Sequence, residues 1–539
     1  MGESNFPIIS ENLNFNSSTI KNGGQKVAAA QWNNAYANVR VPLTGKWYWE
    51  YITDNYVYSW GGIARPNYGG SNQHTVDFSF VQAGEYRYNG VNQANTSSIG
   101  TGDIVGVYVN DGVIKVYVNN SLDHTYSQNL SIIGSDELYP CFTGPSNATV
   151  NFGQDSSFLG VKTAQGNTDA NGVGDFYYTP PDGALALCSA NTPISSDIDP
   201  AQTNSDFPQK QFNVTTYTGN GTSQSITGLG FKPDFCWIKK TNSSQSHVLM
   251  DSSRGTSEAV ESNTTSTDTN FTQGVTAFGT DGFSVGNHTQ VNNSTDSYIA
   301  WSWKANGGTT TTNTSGTITS TVQANTKAGF SIITFQSPNS SSDQTVGHGL
   351  SSAPDFIMSK NRSTSYNWDI FHSGFDDTTK GLRLNTNDGL LTGRWGSVSS
   401  TVITTKNSYT HNGTDNYVFY AWHSVAGYSK FGTFTANDTN NNGPFIDCGF
   451  RPAMILFKGV VSGAAWVLKD DTLDGYNPGA GVMQPGSSAG KYTTAGGVCN
   501  ILANGFKITT DNAVANSTSY DPYIYMAWAS VPFKYGNTL

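Results

Sequence analysis

The sequence predicts an all-β, multidomain protein, and three observations lead to that prediction. Aromatic residues alternate with other side chains over short runs such as Gly45–Tyr51 (GKWYWEY), which is the period-two pattern of a strand. Asn110-Asp111-Gly112 separates two such runs, and these residue types tolerate the positive φ that a tight hairpin requires. No long stretch repeats its apolar residues at helical spacing. At 539 residues, the chain also exceeds what one core usually supports.

One pattern occurs three times in the second half of the chain and indicates a copied unit. It consists of a turn, Pro-Asp, a short apolar run and Lys, and an Ala-Trp block follows further on. The copies are Gly228–Lys240 (GLGFKPDFCWIKK), Gly349–Asn361 (GLSSAPDFIMSKN) and Cys448–Val460 (CGFRPAMILFKGV). In the third copy, Ala453 stands where the other two have Asp.

The spacing within each copy predicts which positions are equivalent. From the Pro to the Trp it is 68 residues in two copies and 76 in the third, and the pairs are Pro233 with Trp301, Pro354 with Trp422 and Pro452 with Trp528. We therefore expect each Pro just before a strand. We expect each Trp at the same core position of its repeat.

Composition excludes several classes of function. Charged residues are only 12% of the chain, against roughly 25% in ordinary soluble domains, and Asn, Ser, Thr and Gly take their place. The net charge of −11 disfavours nucleic acid as a partner, because binding to phosphates needs clustered Lys and Arg. No apolar run approaches the roughly 18 residues of a membrane span, so no membrane insertion is expected.

Motifs for catalysis and metal binding give no support for an enzyme. The five cysteines are scattered and odd in number, so buried free thiols are expected. The histidines form no HExxH motif, so we expect no dedicated metal site, and no cofactor is expected. Asp438–Gly443 fits the first half of a calcium loop, with Gly449 where the bidentate Glu should stand; a polar turn is the interpretation, and a weak calcium site completed by a distant carboxylate is the alternative. Gly486–Gly490 (GSSAG) fits G-x-S-x-G but lacks the flanking strand and helix of a nucleophile elbow. Asp251 and Arg254 are interpreted as a structural ion pair in a turn.

A series of strand motifs occupies the chain between about Ala30 and Phe158. In order they are GKWYWEY at 45–51, SWGGIA at 59–64, GDIVGVYVNDGVIKVYVNN at 102–120, YPCF at 139–142 and VNFG at 150–153. Their order and spacing resemble a SPRY domain. The resemblance implies an antiparallel β-sandwich used for binding. Because the loops carry the specificity of SPRY domains and differ in this chain, the resemblance does not supply a ligand.

The repeats carry a second resemblance, which covers most of Tyr177–Phe533. Preceded by YTPPDGALALCSANTP at 178–193, the repeat unit resembles domains in virion proteins of marine and environmental tailed phages. Relatives also show a His, a short apolar run, Asp-Ser and Arg-Gly in the region matched to Ser246–Gly255. In those phage proteins the repeats often follow a SPRY-like domain.

These resemblances imply a non-enzymatic virion protein exposed on the phage particle, most simply a tail fibre or appendage for host-surface recognition. Its expected partners are other virion proteins and a host-surface glycan or protein receptor. A homotrimer is also implied, although no heptad stretch would drive it. A head-attached fibre or capsid decoration protein is one alternative. A tailspike polysaccharide depolymerase built from distant carboxylates is another.

The sequence divides into seven segments. They are an N-terminal arm (1–30), a SPRY-like β-sandwich (31–160), a connector (161–210), a first β-repeat (211–306), a Thr/Gly/Ser-rich flexible linker (307–327), a second β-repeat (328–426) and a third β-repeat (427–539).

The expected ligand-binding surface is the loop around Asp54–Gly70. Aromatic faces beside hydrogen-bonding groups suit sugar rings, because CH groups stack and polar groups bond hydroxyls. The candidate ligand-binding residues are Asp54, Tyr56, Tyr58, Trp60 and Tyr68. Tyr86 and Tyr88, which alternate with Arg87, are a weaker example of the same chemistry. The alternative is that these rings simply cover the core of the sandwich.

Overall fold

The computed structural model confirms the all-β fold. It describes residues 6–9, 19–28, 34–53, 60–65, 77–81, 84–96, 98–133, 138–143, 147–188, 190–191, 207–440, 443–473, 477, 481–493, 497–511 and 515–532. Within these ranges the helices are short: α1 (Thr289–Asn292) and four 3₁₀ turns at Asn22–Gly24, Leu130–Ile133, Pro208–Lys210 and Thr518–Tyr520. The chain separates into two compact units, Met1–Pro193 and Ile194–Leu539.

The first unit contains two antiparallel sheets. Its strands are β1 (Thr19–Lys21), β2 (Lys26–Ala28), β3 (Ala35–Tyr36), β4 (Lys46–Thr53), β5 (Trp60–Ala64), β6 (Phe78–Val81), β7 (Glu85–Tyr88), β8 (Val91–Asn95), β9 (Ile104–Asn110), β10 (Val113–Val118), β11 (Ser121–Asn129), β12 (Tyr139–Thr143), β13 (Asn147–Asn151) and β14 (Leu185–Ala186). One sheet has the order β1-β2-β13-β4-β9-β10-β11, with β14 beside β4, and the other β3-β12-β5-β6-β7-β8. The predicted hairpin is present, since Asp111 and Gly112 have φ of 46° and 80° between β9 and β10.

Much of the predicted connector packs within the first unit. Strand β14 pairs with β4 in parallel, and the buried Glu50 carboxylate accepts hydrogen bonds from the backbone N–H groups of Tyr177 and Tyr178. Burial raises the pKa of Glu50, while those two N–H groups oppose the rise. A polar, turn-rich segment is thus held by a carboxylate that satisfies its backbone donors, which composition alone does not indicate.

The second unit consists of three repeats with the same plan. The first repeat has β15 (Phe212–Thr218), β16 (Gln224–Thr227), β17 (Phe235–Lys240), β18 (Val248–Asp251), β19 (Glu258–Glu261), β20 (Thr269–Asn270), β21 (Val275–Gly279), β22 (Gly282–Val285) and β23 (Ser297–Trp303). The second has β24 (Thr311–Asn313), β25 (Ser320–Asn325), β26 (Phe330–Gln336), β27 (Gln344–Gly347), β28 (Phe356–Asn361), β29 (Asp369–His372), β30 (Leu382–Arg383), β31 (Trp395–Val398), β32 (Val402–Thr405) and β33 (Asn416–Trp422). The third has β34 (Ser429–Phe434), β35 (Phe445–Asp447), β36 (Phe450–Gly459), β37 (Val467–Asp470), β38 (Gly481–Val482), β39 (Tyr492–Thr493), β40 (Cys499–Leu502), β41 (Gly505–Ile508) and β42 (Tyr523–Pro532).

Each repeat pairs a large sheet with a three-stranded one. The large sheets have the cores β15-β23-β17-β18, β26-β33-β28-β29 and β34-β42-β36-β37. The small sheets are β16-β22-β21, β27-β32-β31 and β35-β41-β40. A separate apolar core fills each repeat. A further apolar core contains residues of all three repeats.

The recurring Pro and Lys have structural roles. Pro233 and Pro354 immediately precede the Asp that leads into β17 and β28, as predicted, whereas Pro452 lies inside β36 at a register shift, where a missing N–H is tolerated. The Lys six residues after each Pro is buried and donates to backbone carbonyls. These residues are Lys239, Lys360 and Lys458. Burial lowers the pKa of each of the three to about 8.

The equivalence predicted for Trp301 is wrong, and its place is taken by Trp303. The residue two positions after each Pro lies opposite Trp303, Trp422 and Trp528 in the three repeats. Side chains two apart on a strand share a face, so the shift by two residues leaves Trp301 buried in the same core. The equal spacing of 68 residues was therefore a coincidence.

The three equivalent tryptophans meet at the centre of the second unit. The ring centroids of Trp303, Trp422 and Trp528 lie 5.4, 5.8 and 5.9 Å apart in the three pairs, all with edge-to-face geometry. This is the favoured arrangement of aromatic pairs. The repeats thus have approximate threefold symmetry about this cluster, which we call the tryptophan axis.

Equivalent hydrogen bonds close the three repeats into a ring. Side chains at one position of each repeat bond a backbone carbonyl in another repeat; the pairs are His247 with Gln484, Trp368 with Glu261, and Trp466 with Arg383. These bonds join the first repeat to the third, the second to the first and the third to the second. The second unit is therefore a closed ring and not a string of separate domains.

The stretch 307–327, predicted to be a flexible linker, contains two strands. Strands β24 and β25 extend the large sheet of the second repeat, with Thr311 opposite Val322. The buried Gln323 side chain also accepts hydrogen bonds from the backbone N–H groups of Asn306 and Gly308. Thr has a high preference for strands, and here sheet pairing outweighs the loop-like composition.

Candidate functional site

Most of the predicted ligand-binding residues lie outside the described part of the chain. Asp54, Tyr56, Tyr58 and Tyr68 belong to this group. The backbone of Trp60 opens β5 and lies opposite Val81 of β6 and Thr143 of β12. The assignment of these five residues to a ligand therefore stays a prediction.

A polar cluster is described at the sheet end where β5 begins. Tyr86 Oη and Thr96 Oγ1 both donate to Asp123 Oδ2, the second over 2.6 Å. The His124 ring stacks on Tyr86 with centroids 4.3 Å apart. Tyr86 is buried, whereas the other three are partly exposed. We call Tyr86, Thr96, Asp123 and His124 the sandwich-end cluster.

Strand register places this cluster at the sheet end where β5 begins. Trp60 pairs with Val81, and Glu85 pairs with Asn95. The start of β5, the start of β7 and the end of β8 therefore share one end of their sheet. Thr96 follows Asn95 directly, so the cluster lies at the same end as the point where residues 54–59 join β5.

Burial controls the protonation of the cluster. It raises the pKa of Tyr86, and the hydrogen bond to Asp123 raises it further, so the phenol stays a donor. Burial lowers the pKa of His124, although the charge of Asp123 opposes the shift. His124 Nε2 has no hydrogen-bond partner among the described residues. At neutral pH the cluster therefore contains a protonated phenol and an uncharged imidazole.

Beside the cluster, two exposed sheet edges carry amide side chains. Strands β8 and β11 are the outermost strands of their respective sheets, and Gln128 Nε2 donates to Gln93 Oε1 over 3.2 Å between them. Asn92 and Asn95 are exposed on β8 and bond each other over 2.7 Å. We call Asn92, Gln93, Asn95 and Gln128 the amide strip. Each amide both donates and accepts, which matches the hydroxyls of a sugar.

Sequence reasoning found only one member of the sandwich-end cluster. Tyr86 stood out from its alternation, and its burial agrees with the alternative that it covers the core. Tyr88 packs against Phe78 with centroids 5.0 Å apart. Asp123 and His124 lie on another sheet more than thirty residues away, and no local motif marks them.

The other predicted motifs are structural. Arg254 bonds Asp251 and Asp268 at 2.6 and 2.9 Å, and Tyr420 of the second repeat donates to Asp251. This confirms the ion pair between Asp251 and Arg254 and places it at the contact between two repeats. In the GSSAG segment, the Ser488 carbonyl accepts from Lys239 and from the backbone of Gln245.

All five cysteines are buried and free, as predicted. In the described part of the chain, no group of three or more His, Cys, Asp or Glu side chains could hold a metal ion. The described helices include none long and apolar enough to cross a membrane.

Comparisons with known proteins extend this description. The SPRY domain of human HERC1 is similar to this chain with 17% sequence identity and a TM-score of 0.22, over 25% of this chain and 91% of that domain. The TRIM65 PSpry domain is similar with 13% identity and a TM-score of 0.22, over 27% of this chain and 91% of that one. No curated protein matches the chain.

A family model matches residues 207–532. These bounds enclose the ring of three repeats, from the 3₁₀ turn at Pro208–Lys210 to the end of β42. The match covers more than half of the chain, so the protein belongs to the family described as Domain of unknown function (DUF7483).

Proposed function

We propose that the protein is a non-enzymatic bacteriophage virion protein that binds a glycan on the host surface, as part of a tail fibre or appendage. The observation that supports glycan binding best is the sandwich-end cluster beside the amide strip. Together they offer hydrogen-bond donors, acceptors and a stacked aromatic pair at one sheet end and along the adjoining strand edges. Sugar rings need this combination, because their hydroxyls both donate and accept while their CH faces pack on rings.

Weak single contacts suffice for such a protein. Several copies of the chain on one particle convert later binding events into intramolecular ones, so that overall avidity exceeds each single affinity by about 10²–10⁴. A trimeric fibre would supply these copies. Sedimentation of the purified protein tests the trimer, and a monomer at every concentration and on the particle would contradict it.

Adsorption experiments test the binding surface. Asp123→Asn removes the charge that holds the hydroxyls of Tyr86 and Thr96, so we expect weaker adsorption of protein to host cells. Ser127→Ala on the same strand is the matched control, because Ser127 is exposed and belongs to neither the cluster nor the amide strip. Equal adsorption of both folded variants would contradict the role of the cluster.

The loop has its own test. Replacing Tyr56 and Tyr68 by Ala is expected to weaken adsorption and leave the melting temperature nearly unchanged. A large fall in melting temperature would assign these rings to the core instead.

Two further measurements separate this proposal from its alternatives. Gold labelling of intact particles distinguishes a tail appendage from a head fibre or decoration protein. Incubation with host surface polysaccharide, followed by an assay for new reducing ends, distinguishes a binder from a depolymerase.

A further inference from the structure

The second repeat contains a buried polar group of residues with no counterpart in the other two repeats. Asp369 of β29 lies opposite Arg383 of β30, and Arg394 Nη1 lies 3.5 Å from Asp369 Oδ1. The guanidinium carbon of Arg394 lies 4.1 Å from the centre of the Tyr409 ring. Burial and the charge of Asp369 raise the pKa of Tyr366, while the charge of Arg394, a hydrogen bond from Arg394 and the charge of Arg383 oppose the rise. We call Asp369, Arg383, Arg394, Tyr366 and Tyr409 the Asp369 site.

The hydrogen-bonding capacity of this site is largely unused. Asp369 is 1% exposed, and both of its carboxylate oxygens lack a hydrogen-bond partner among the described residues. The same holds for Nε and Nη1 of Arg394, which is 7% exposed, and for Nε of Arg383. Leaving buried polar groups unpaired is costly, so such groups normally bond protein, water or a ligand.

The other repeats show that the scaffold does not require these charges. Strand register places Asp369 at the position of Val248 and Val467. Arg394 precedes Trp395, which corresponds to Val275 and Cys499 by its pairing, so its own counterparts are Gly274 and Val498. Two copies of the same fold thus place apolar or small residues where the second repeat places a carboxylate and a guanidinium.

The unpaired atoms define the chemistry of a partner. An anion would lie against Asp369 and a cation against Arg394, and each would be repelled. A hydroxyl group donates to a carboxylate and accepts from a guanidinium. Two free carboxylate oxygens and three free guanidinium nitrogens match more than one hydroxyl. Tyr366 and Tyr409 are partly exposed. The Arg394 guanidinium covers one face of Tyr409, so CH groups would pack on Tyr366 or on the other face of Tyr409.

We propose that the Asp369 site binds a neutral, hydroxyl-bearing ligand of the sugar class. The 3.5 Å between Asp369 Oδ1 and Arg394 Nη1 is longer than a normal hydrogen bond but too short to hold an oxygen atom between them. A hydroxyl beside this ion pair would donate to the carboxylate and accept from the guanidinium, and so complete both groups. This inference concerns a different unit from the sandwich-end cluster and does not rest on it. The ligand would bind to the second of the three repeats.

Saturation-transfer NMR with the full-length protein tests the proposal. The probes are methyl α-glucoside, methyl α-mannoside, methyl β-galactoside and N-acetylglucosamine. We expect transfer from the protein to at least one of them. The double variant Asp369→Val/Arg394→Val, which copies the residues of the third repeat, should weaken that binding at least about tenfold, or ~1.4 kcal/mol.

Two control variants test whether any loss of sugar binding is specific to the Asp369 site. Asp376→Asn/Lys380→Gln removes an exposed ion pair of the same repeat and should leave the transfer unchanged. Asp123→Asn, which tests the sandwich-end cluster, should also leave the transfer that depends on Asp369 unchanged. Should the double variant misfold, Tyr366→Ala is the replacement, with the same expected loss.

Three outcomes would overturn the proposal. One is the absence of transfer to every probe, which would mean that water alone occupies the site. Another is undiminished binding by the folded double variant. The third is loss of binding in Asp123→Asn only, which would assign all sugar contacts to the first unit and leave the proposed glycan function intact.

Discussion

The second repeat agrees with the first and third at the tryptophan axis and departs from them inside its own sandwich. Trp422 occupies the same position as Trp303 and Trp528, whereas Asp369 occupies a position that is Val in both other repeats. The position at the tryptophan axis is filled by tryptophan in every copy. Positions that serve only one sandwich can change without opening the ring, and that is where one copy has acquired charge.

The largest change in stability is expected at the tryptophan axis. Trp422→Ala should lower the free energy of unfolding by about 3–5 kcal/mol, because it leaves a cavity among rings of all three repeats. Chemical denaturation of the isolated protein measures this cost. Trp422→Phe keeps most of the contact and should cost less. A cost near zero for the Ala variant would mean that the axis is not what holds the ring together.

The next largest change in stability is expected when one partner of the ion pair at the Asp369 site is removed. Asp369→Val alone leaves the Arg394 guanidinium buried beside an apolar group, and loss of one buried partner costs about 3–5 kcal/mol. Since the two charged groups of this ion pair lie 3.5 Å apart, farther than in a hydrogen bond, we expect the lower end of that range. Denaturation of the single variant provides the value, and a stabilised single variant would contradict the ionic interaction.

The double variant Asp369→Val/Arg394→Val should raise the free energy of unfolding, whereas the single variant lowers it. Replacing a buried ion pair by apolar residues is often neutral or stabilising by about 1–4 kcal/mol. We therefore expect a gain in the free energy of unfolding together with the loss of sugar binding. A double variant less stable than the single one would show that the second repeat depends on its charges for folding.

A smaller, pH-dependent effect is expected at Asp470 in the third repeat. Burial raises the pKa of its carboxyl to about 6, while the N–H groups of Leu473 and Thr472 oppose the rise, Asp471 adds to it and Lys469 opposes it. The unfolded value is about 3.9. Between these values the folded state binds more protons, so this group makes stability fall as pH rises from about 4 to about 6.

Asp470→Asn should remove that dependence. Oδ1 can still accept from Thr472 and Leu473, and Oδ2 has no partner among the described residues. The variant should exceed the wild type in stability by about 2 kcal/mol above pH 6, with the difference disappearing near pH 4. Thermal melts across this range test it, and a constant difference would exclude titration of Asp470 as the cause.

The sequence predicted the fold class and the threefold copying, because alternation and repeated motifs are local signals. It misassigned Trp301, because a shift of two residues along a strand preserves the buried face. It missed the strands in 307–327, because sheet pairing depends on partners that composition does not encode. Asp369 and Arg394 lie on different strands or their flanks and form no local motif. Aligning Asp369 with Val248 and Val467 was the signal that could have found them.

The closed ring has a consequence for how the chain is made. The His247 side chain of the first repeat bonds the carbonyl of Gln484 in the third, 237 residues later. The first repeat therefore leaves the ribosome with one of its contact surfaces uncovered, and that surface stays uncovered until the third repeat has been synthesised. The ring cannot close before that point, so products truncated before the third repeat expose apolar surface that the closed ring hides.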